Sequence, residues 1–388
     1  MLLGTYYGGV EIHREEKIIY GRFLTPHRVI STCPAGGGLR DDLEYLYNHQ
    51  SCEPTGHDPA ALRIITSDPR GYRSLVCRHY RLPEDRCASL GTAANMRCGV
   101  IEEASFRDLS VVAVCTGGVE TNAGRAGDPA TVYEHDGAYE KVSGVEPACH
   151  GTINTMLFIS RELAPPGMVT AVMTATEAKT AALQELNVIS RYSRGLATGT
   201  GTDQIGVAAR LGSVTPLTSA GKHTVLGELI GRTVRSAVKG TLALQDSLTP
   251  ETQRSSVRLL ERFGASRDRL RVSITSLLSK GKGALFAANF GVVERDPLVV
   301  AAVAALVHLC DKITWGILPE SCMPELYATY GAQISAAVSG VYDRLPAYRA
   351  ALAAAGCGSS DRDLLSIAER AFALGFEDKW PVERGGEG

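Results

Sequence analysis

The apolar residues of this chain change their spacing near residue 245, and no other feature of the sequence constrains the fold as much. Up to about Leu244 they come in short runs bounded by Gly, Pro or Asp. Examples are Arg28-Val29-Ile30-Ser31-Thr32, Leu62-Arg63-Ile64-Ile65-Thr66, Ser110-Val111-Val112-Ala113-Val114-Cys115 and Thr155-Met156-Leu157-Phe158-Ile159. Runs of this length and β-branched content predict buried strands. Helical stretches alternate with them. Pro165 and Pro166 open a helix that continues over Met168 to Leu186, because the N–H that proline lacks would be unpaired in a first turn anyway. Met168, Val172, Ala175, Ala178 and Leu183 then share one face. From Asp246 onward helical spacing takes over. Thr249-Pro250-Glu251 reads as N-cap, N1 and N2, followed by Val257, Leu260 and Phe263. Further helices are expected at Leu298 to Cys310, Glu325 to Tyr342 and Leu364 to Leu374. The fold class expected is α/β (α+β): an N-terminal domain over residues 1–245 and an all-helical C-terminal appendage over 246–388.

Charge and cysteine content exclude several function classes. The 40 Lys and Arg nearly balance 42 Asp and Glu, so there is no electrostatic footprint for nucleic acid or an anionic membrane. The longest apolar run, Leu298 to Val307, is far short of the ~20 residues that span a bilayer, and we read it as a buried helix. Glu11, Arg14, Glu15 and Glu16 come too early for a secretory signal. A cytoplasmic location is therefore expected, with no nucleic-acid or membrane partner, and self-association is left open. None of the 10 cysteines forms a Cys-x-x-Cys pair, as suits reduced, mostly buried thiols. His49, Cys52 and His57 offer metal-ligand chemistry, but at no standard zinc spacing and with no second cluster. No metal is expected.

Four polar, Gly-rich turns border the apolar runs. They are Ser31-Thr32 through Gly36-Gly37-Gly38 followed by Asn48-His49; Thr116-Gly117-Gly118-Val119 through Asn122-Ala123 to Gly127-Asp128; His150-Gly151-Thr152-Ile153-Asn154; and Ala197-Thr198-Gly199-Thr200-Gly201-Thr202-Asp203-Gln204. Glycine allows close backbone approach, while hydroxyls and amides at strand ends supply donors. Such turns can cradle a phosphate or polarise a carbonyl. The P-loop ending, the dinucleotide fingerprint and the Gly-x-Ser-x-Gly nucleophile elbow are all absent from the sequence.

In this order, the four turns resemble the adenosylcobinamide amidohydrolase (CbiZ) family. Its core looks like Gly151-Thr152-Ile153-Asn154, the Leu163 to Pro166 turn, Thr176-Glu177-Ala178-Lys179, and Ala197 to Asp203. Thr116-Gly117-Gly118-Val119, Asn122-Ala123 and Gly127-Asp128-Pro129 resemble its preceding motif. The resemblance runs from about Val29 to Ala237 and leaves the helical part unassigned. It implies hydrolysis of adenosylcobinamide to adenosylcobyric acid and aminopropanol in corrinoid salvage. The partner implied is a corrinoid small molecule. No protein cofactor is implied, since the cobalt belongs to the substrate.

A second resemblance, to the ornithine acetyltransferase and DmpA-type aminopeptidase superfamily, implies an α-β-β-α sandwich and a nucleophile freed by self-cleavage after a glycine. Carried onto this sequence, it makes Thr152 the nucleophile and Thr116-Gly117 the oxyanion donors. A freed α-amine at Thr152 would act as base, with an unperturbed pKa near ~7.7–8.0. Without cleavage, His150, Lys179 or Glu177 would serve instead, and Asp203 would orient a partner or the substrate amine. The remaining substrate-binding candidates are Asn48, His49, Asn122, Asp128, Asn154, Glu177, Thr200 and Thr202. Two alternatives remain open: an N-terminal-nucleophile acyltransferase or aminopeptidase on small amides, and a corrinoid-binding protein without catalysis.

Overall fold

The computed structural model describes residues 1–53, 64–65, 67–136, 138–142, 151–356 and 360–380. The chain divides into two compact units, Met1–Thr249 and Pro250–Gly388.

The first unit is built on two sheets. One has five strands in the order β1 (Leu2–Tyr6), β2 (Val10–Glu15), β3 (Ile18–Phe23), β6 (Tyr45–Gln50), β7 (Cys87–Thr92). The other has six, in the order β5 (Gly38–Arg40), β4 (His27–Ser31), β15 (Gln204–Arg210), β13 (Ile153–Ile159), β9 (Leu109–Gly117), β8 (Val100–Phe106). A two-stranded pair, β10 (Ala123–Gly124) with β14 (Gly199–Thr200), and a hairpin, β11 (Val132–His135) with β12 (Ala138–Lys141), stand apart from them.

Three apolar layers explain the stacking. Ile12, Ile19, Leu46 and Leu90 of the first sheet meet Val112, Val114, Met156 and Phe158 of the second. On the far side of the second sheet, Val111, Ala113, Ile153 and Leu157 pack against two helices, α2 (Pro165–Glu185) and α3 (Val225–Asp246). Outside the first sheet, Ile18 and Tyr47 pack on Val76 and Cys77 of α1 (Pro69–Tyr80). The result is the α-β-β-α layering. Every residue of β13 is buried, as expected of a central strand covered on both faces.

Most elements fall where the spacing predicts them. In α2, Pro165 follows Ala164 at the N-cap, and Met168, Ala175, Ala178 and Leu183 are buried. The strand expected over residues 62–66 is not found. Ile64 and Ile65 are helical, just ahead of the Asp68 side chain that caps α1, and the rest of that run lies outside the described residues.

The second unit is helical. After the short α4 (Pro250–Gln253) and α5 (Ser256–Leu260) come α6 (Arg267–Ser276), α7 (Lys280–Val293), α8 (Pro297–Thr314), α9 (Met323–Ser339), α10 (Leu345–Ala354) and α11 (Asp361–Glu377). The single helix expected after Thr249 is broken because Ser255 starts a new one, accepting from the Arg258 N–H at 3.3 Å. The Ser255 hydroxyl is held by Glu294, a fully buried carboxylate that also accepts from Arg267 at 2.8 Å and Arg295 at 3.1 Å. By length and composition α8 is apolar enough to cross a membrane. Its Val299, Val303, Leu306, Val307, Cys310 and Ile313 are buried in the core of this unit.

Candidate active site

The four Gly-rich turns meet at one end of the sandwich, because the strands that carry them finish or begin there. The register pairs Ile153 with Gly117, Asn154 with Thr116 and Gln204, and His49 with Gly91. Thr152 stands one residue ahead of β13 and is 7% exposed. Gly151 before it has φ +107°, and a Cβ there would lie 2.9 Å from the Gly118 carbonyl. Only glycine satisfies both constraints.

Around Thr152 the polar atoms are organised on a carbonyl. The Gly151 oxygen accepts from Asn122 Nδ2 at 3.0 Å and from the Thr202 hydroxyl at 3.0 Å. Thr152 Oγ1 lies 2.6 Å from Thr202 Oγ1. A hydroxyl has one proton, and Thr202 has given its proton to Gly151, so the shared proton between the two threonines is that of Thr152. Asp203 fixes the backbone beyond. Its carboxylate accepts from the Ile153 N–H at 2.8 Å, the Thr200 N–H at 3.0 Å and the Thr200 hydroxyl at 2.6 Å, and it forms an ion pair with Lys179. Gly199 passes so close to the Asp203 and Lys179 side chains that a Cβ there would clash with them.

Asn122, Thr202, Lys179 and Asp203 also line a cavity of about 810 Å³, together with Arg125 and Tyr192. Such a volume lies in the range of small-molecule sites. Asp128 and Thr200 are on its wall. Burial pulls the Asp128 carboxyl up, but hydrogen bonds from Ser190, Ser193 and the Arg125 N–H outweigh this and hold it below the usual carboxylate range.

Other sequence candidates are placed differently. Gly117 does not offer its N–H to a ligand: it donates to the buried Thr241 Oγ1 of α3 at 3.1 Å. Thr116 is 1% exposed, and its hydroxyl accepts from Asn48 Nδ2 at 2.7 Å. Both still lie within the β9–β13 ladder, so the Thr116-Gly117 pair expected to polarise the carbonyl is sealed inside the sandwich. The side-chain donors that do converge on one carbonyl, that of Gly151, are Asn122 Nδ2 and Thr202 Oγ1. Asn48 and Asn154 are likewise too deep to meet a substrate. Asn154 Nδ2 donates to Asn48 Oδ1 at 2.8 Å and to the Gly91 carbonyl at 2.9 Å, so the pair ties the two sheets together. Glu177 pairs with Lys222 at 2.5 Å, both exposed, on a different side of α2 from Lys179.

His49 is apart from the Thr152 cluster. Its Nδ1 is 2.8 Å from the Tyr72 hydroxyl, at a cleft of about 70 Å³ shared with Ser51 and Gln204. Burial, with Lys17 and His79 nearby, lowers its pKa to about 4, so the ring is neutral at pH 7. His57 and His150 lie outside the described residues. Among the described residues no three His, Cys, Asp or Glu side chains cluster as a metal site.

Two contributors have no sequence signal. Tyr192 donates its hydroxyl to Asn122 Oδ1 at 2.9 Å, across 70 residues of chain. Asp246, at the end of α3, accepts from the Val119 N–H at 2.7 Å, beside the turn whose Gly118 N–H donates to the Thr152 carbonyl at 3.2 Å. Burial, and secondarily Glu120, push the Asp246 carboxyl up to about 6 against that hydrogen bond. Of this region the sequence marked only Asn122, as part of the second Gly-rich turn.

Comparison with known proteins bears on the same stretch. The sequence profile of the family described as adenosylcobinamide amidohydrolase matches residues 3–250, which is the α/β unit. An uncharacterized protein of Methanocaldococcus jannaschii is 37% identical over 239 residues, covering 60% of this chain and 89% of that protein. With the profile spanning well over half of its length and the turns that gather at Thr152, this chain belongs to the CbiZ adenosylcobinamide amidohydrolase family.

Proposed function

We propose that the α/β unit hydrolyses the amide between the corrin side chain and aminopropanol in adenosylcobinamide, with Thr152 as nucleophile. The observation that carries this reading is the doubly hydrogen-bonded Gly151 carbonyl beside the Thr152 hydroxyl, whose two donors, Asn122 and Thr202, line the cavity of about 810 Å³. In the intact chain, the Gly151 carbonyl occupies the place where a reacting amide would be polarised. Attack of Thr152 Oγ1 on that carbonyl shifts the acyl group from N to O, and water then splits the ester. Thr152 is left with a free α-amine, and the two donors are left vacant.

A substrate amide takes the vacated position. The α-amine accepts the Thr152 hydroxyl proton, and Oγ1 adds to the carbonyl carbon. Asn122 Nδ2 and Thr202 Oγ1 donate to the oxyanion. Collapse breaks the C–N bond, aminopropanol leaves with the proton, and water releases the corrinoid acid from the Thr152 ester. Preset donors of this kind are typically worth ~2.7–4 kcal/mol each in the transition state. The cobalt arrives with the substrate and takes no part in these steps.

The test is incubation with adenosylcobinamide, following aminopropanol and adenosylcobyric acid by mass spectrometry. Wild type should form both in equal amounts, and Thr152→Ala neither. Near-normal turnover by Thr152→Ala would remove Thr152 from the chemistry. Intact mass reports the processing step separately: two fragments produced by cleavage between Gly151 and Thr152 are expected, and a lone 41.3 kDa species in active protein would refute it.

A further inference from the structure

Asn122 can polarise a carbonyl in only one of its two amide orientations. With Nδ2 toward Gly151 it donates at 3.0 Å; rotated by half a turn it would set Oδ1 against the Gly151 oxygen at a similar separation. The two orientations have the same shape, so packing alone does not choose between them. A hydrogen-bond partner on the other side of the amide does, and that partner is the Tyr192 hydroxyl, donating to Oδ1 at 2.9 Å. A phenol is a better donor than acceptor, so it selects the oxygen.

Tyr192 is itself fixed by a short chain of contacts. Its N–H donates to Ser190 Oγ at 3.0 Å, and Ser190 Oγ donates to Asp128 Oδ2 at 2.5 Å. The neighbouring Arg191 N–H donates to the Ala123 carbonyl at 2.8 Å, next to Asn122. Its ring lies over Gly124, where a Cβ would already be in van der Waals contact at 3.5 Å. The β10–β14 pair then joins Gly124 to Gly199 and Ala123 to Thr200, three residues from Asp203. The loop carrying Tyr192 is thus clasped to the segment carrying Asn122, and Asp128 is the clasp.

We propose that Tyr192 is a positioning residue that holds the Asn122 amide with Nδ2 aimed at the reacting carbonyl, and that Asp128 and Ser190 serve it rather than the substrate. The catalytic part of this inference rests on the function proposed above; the geometric part does not.

Tyr192→Phe removes the hydroxyl and keeps the ring. The loss of one hydrogen bond is expected to lower kcat for aminopropanol release by roughly three- to tenfold, with KM changed less than about twofold. In an Asn122→Ala background the same substitution should change kcat by less than about twofold, because the group it positions is gone. Equal losses in both backgrounds would overturn the proposal, since Tyr192 would then act only by lining the cavity. A second measurement needs no turnover. The Asn122 side-chain NH₂ resonance, assigned by its loss in Asn122→Ala, should exchange slowly with solvent in wild type and faster in Tyr192→Phe. Unchanged exchange would also overturn the proposal. If wild type releases no aminopropanol, the proposed function fails and the exchange measurement alone decides on Tyr192.

Discussion

Asn48→Ala removes two of the hydrogen bonds that tie the two sheets together, and its effect can be worked from the contacts. The Asn48 side chain is 2% exposed, its Nδ2 donates to Thr116 Oγ1 at 2.7 Å, and its Oδ1 accepts from Asn154 Nδ2 at 2.8 Å. Two hydrogen bonds are lost at about 0.5–1.5 kcal/mol each, and Thr116 and Asn154 are left short of partners away from water, so the total is roughly 2–4 kcal/mol. Both sheet ends should loosen together, because the tie spans β6, β9 and β13. Hydrogen exchange read by mass spectrometry on peptides covering 45–50 and 153–159 measures this directly. Tryptophan fluorescence supplies a control, because both tryptophans, Trp315 and Trp380, lie in the helical unit and should not respond. Thr116→Val breaks the same bond from the other side. The double variant should therefore lose less than the sum of the two, by at least about 1 kcal/mol. Losses that add to within roughly 0.3 kcal/mol would show that Asn48 and Thr116 are not coupled and that the tie is not structural.

Two further predictions concern pH. The Asp246 carboxyl keeps its proton in the folded chain up to about pH 6, whereas in the unfolded chain it loses it near the ordinary 3.8. The folded state therefore binds the extra proton between these values, and stability falls as pH rises through that window and then levels off. Asp246→Asn keeps an acceptor for Val119 and should stabilise the α/β unit by about 1–3 kcal/mol at pH 7.5, with no gain below pH 4. A gain independent of pH would refute the burial argument. His49 has the opposite sign: its folded pKa of about 4 lies below the ordinary 6.5, so stability is lost as pH falls from 6.5 toward 4. In urea titrations His49→Gln should flatten that acid limb by about 2–3 kcal/mol while still bonding Tyr72. A limb of unchanged steepness would assign the loss elsewhere, such as to the fully buried His27, which burial also holds near 4.

How much of the site was legible depends on how local each contact is. Gly151-Thr152 and the Thr200 to Asp203 turn are short motifs whose partners lie close in sequence or across one strand pair, and their composition alone marks them. Thr116-Gly117 carried a similar signature, yet both are still paired in the ladder with β13, which ends at Gly117, and both are buried. Asn48 and Asn154 look like ligand-binding amides in any strand-end motif. Whether such an amide faces a substrate or a facing sheet depends on which strands stack, and no local pattern encodes that.

The amino-acid order by itself determined the alternation of short apolar strands and helices, the switch to helical spacing near residue 245, and the glycine that Thr152 requires before it. These follow from backbone sterics and from burial patterns repeating every two or every three to four residues, which act over a few neighbours at a time. Only the tertiary structure decided which hydroxyls and amides point at a common carbonyl, that Tyr192 sits behind Asn122, and that burial retunes Asp246 and His49. Hydrogen bonds act over about 3 Å, and only packing brings residues 29 to 127 positions apart within that distance.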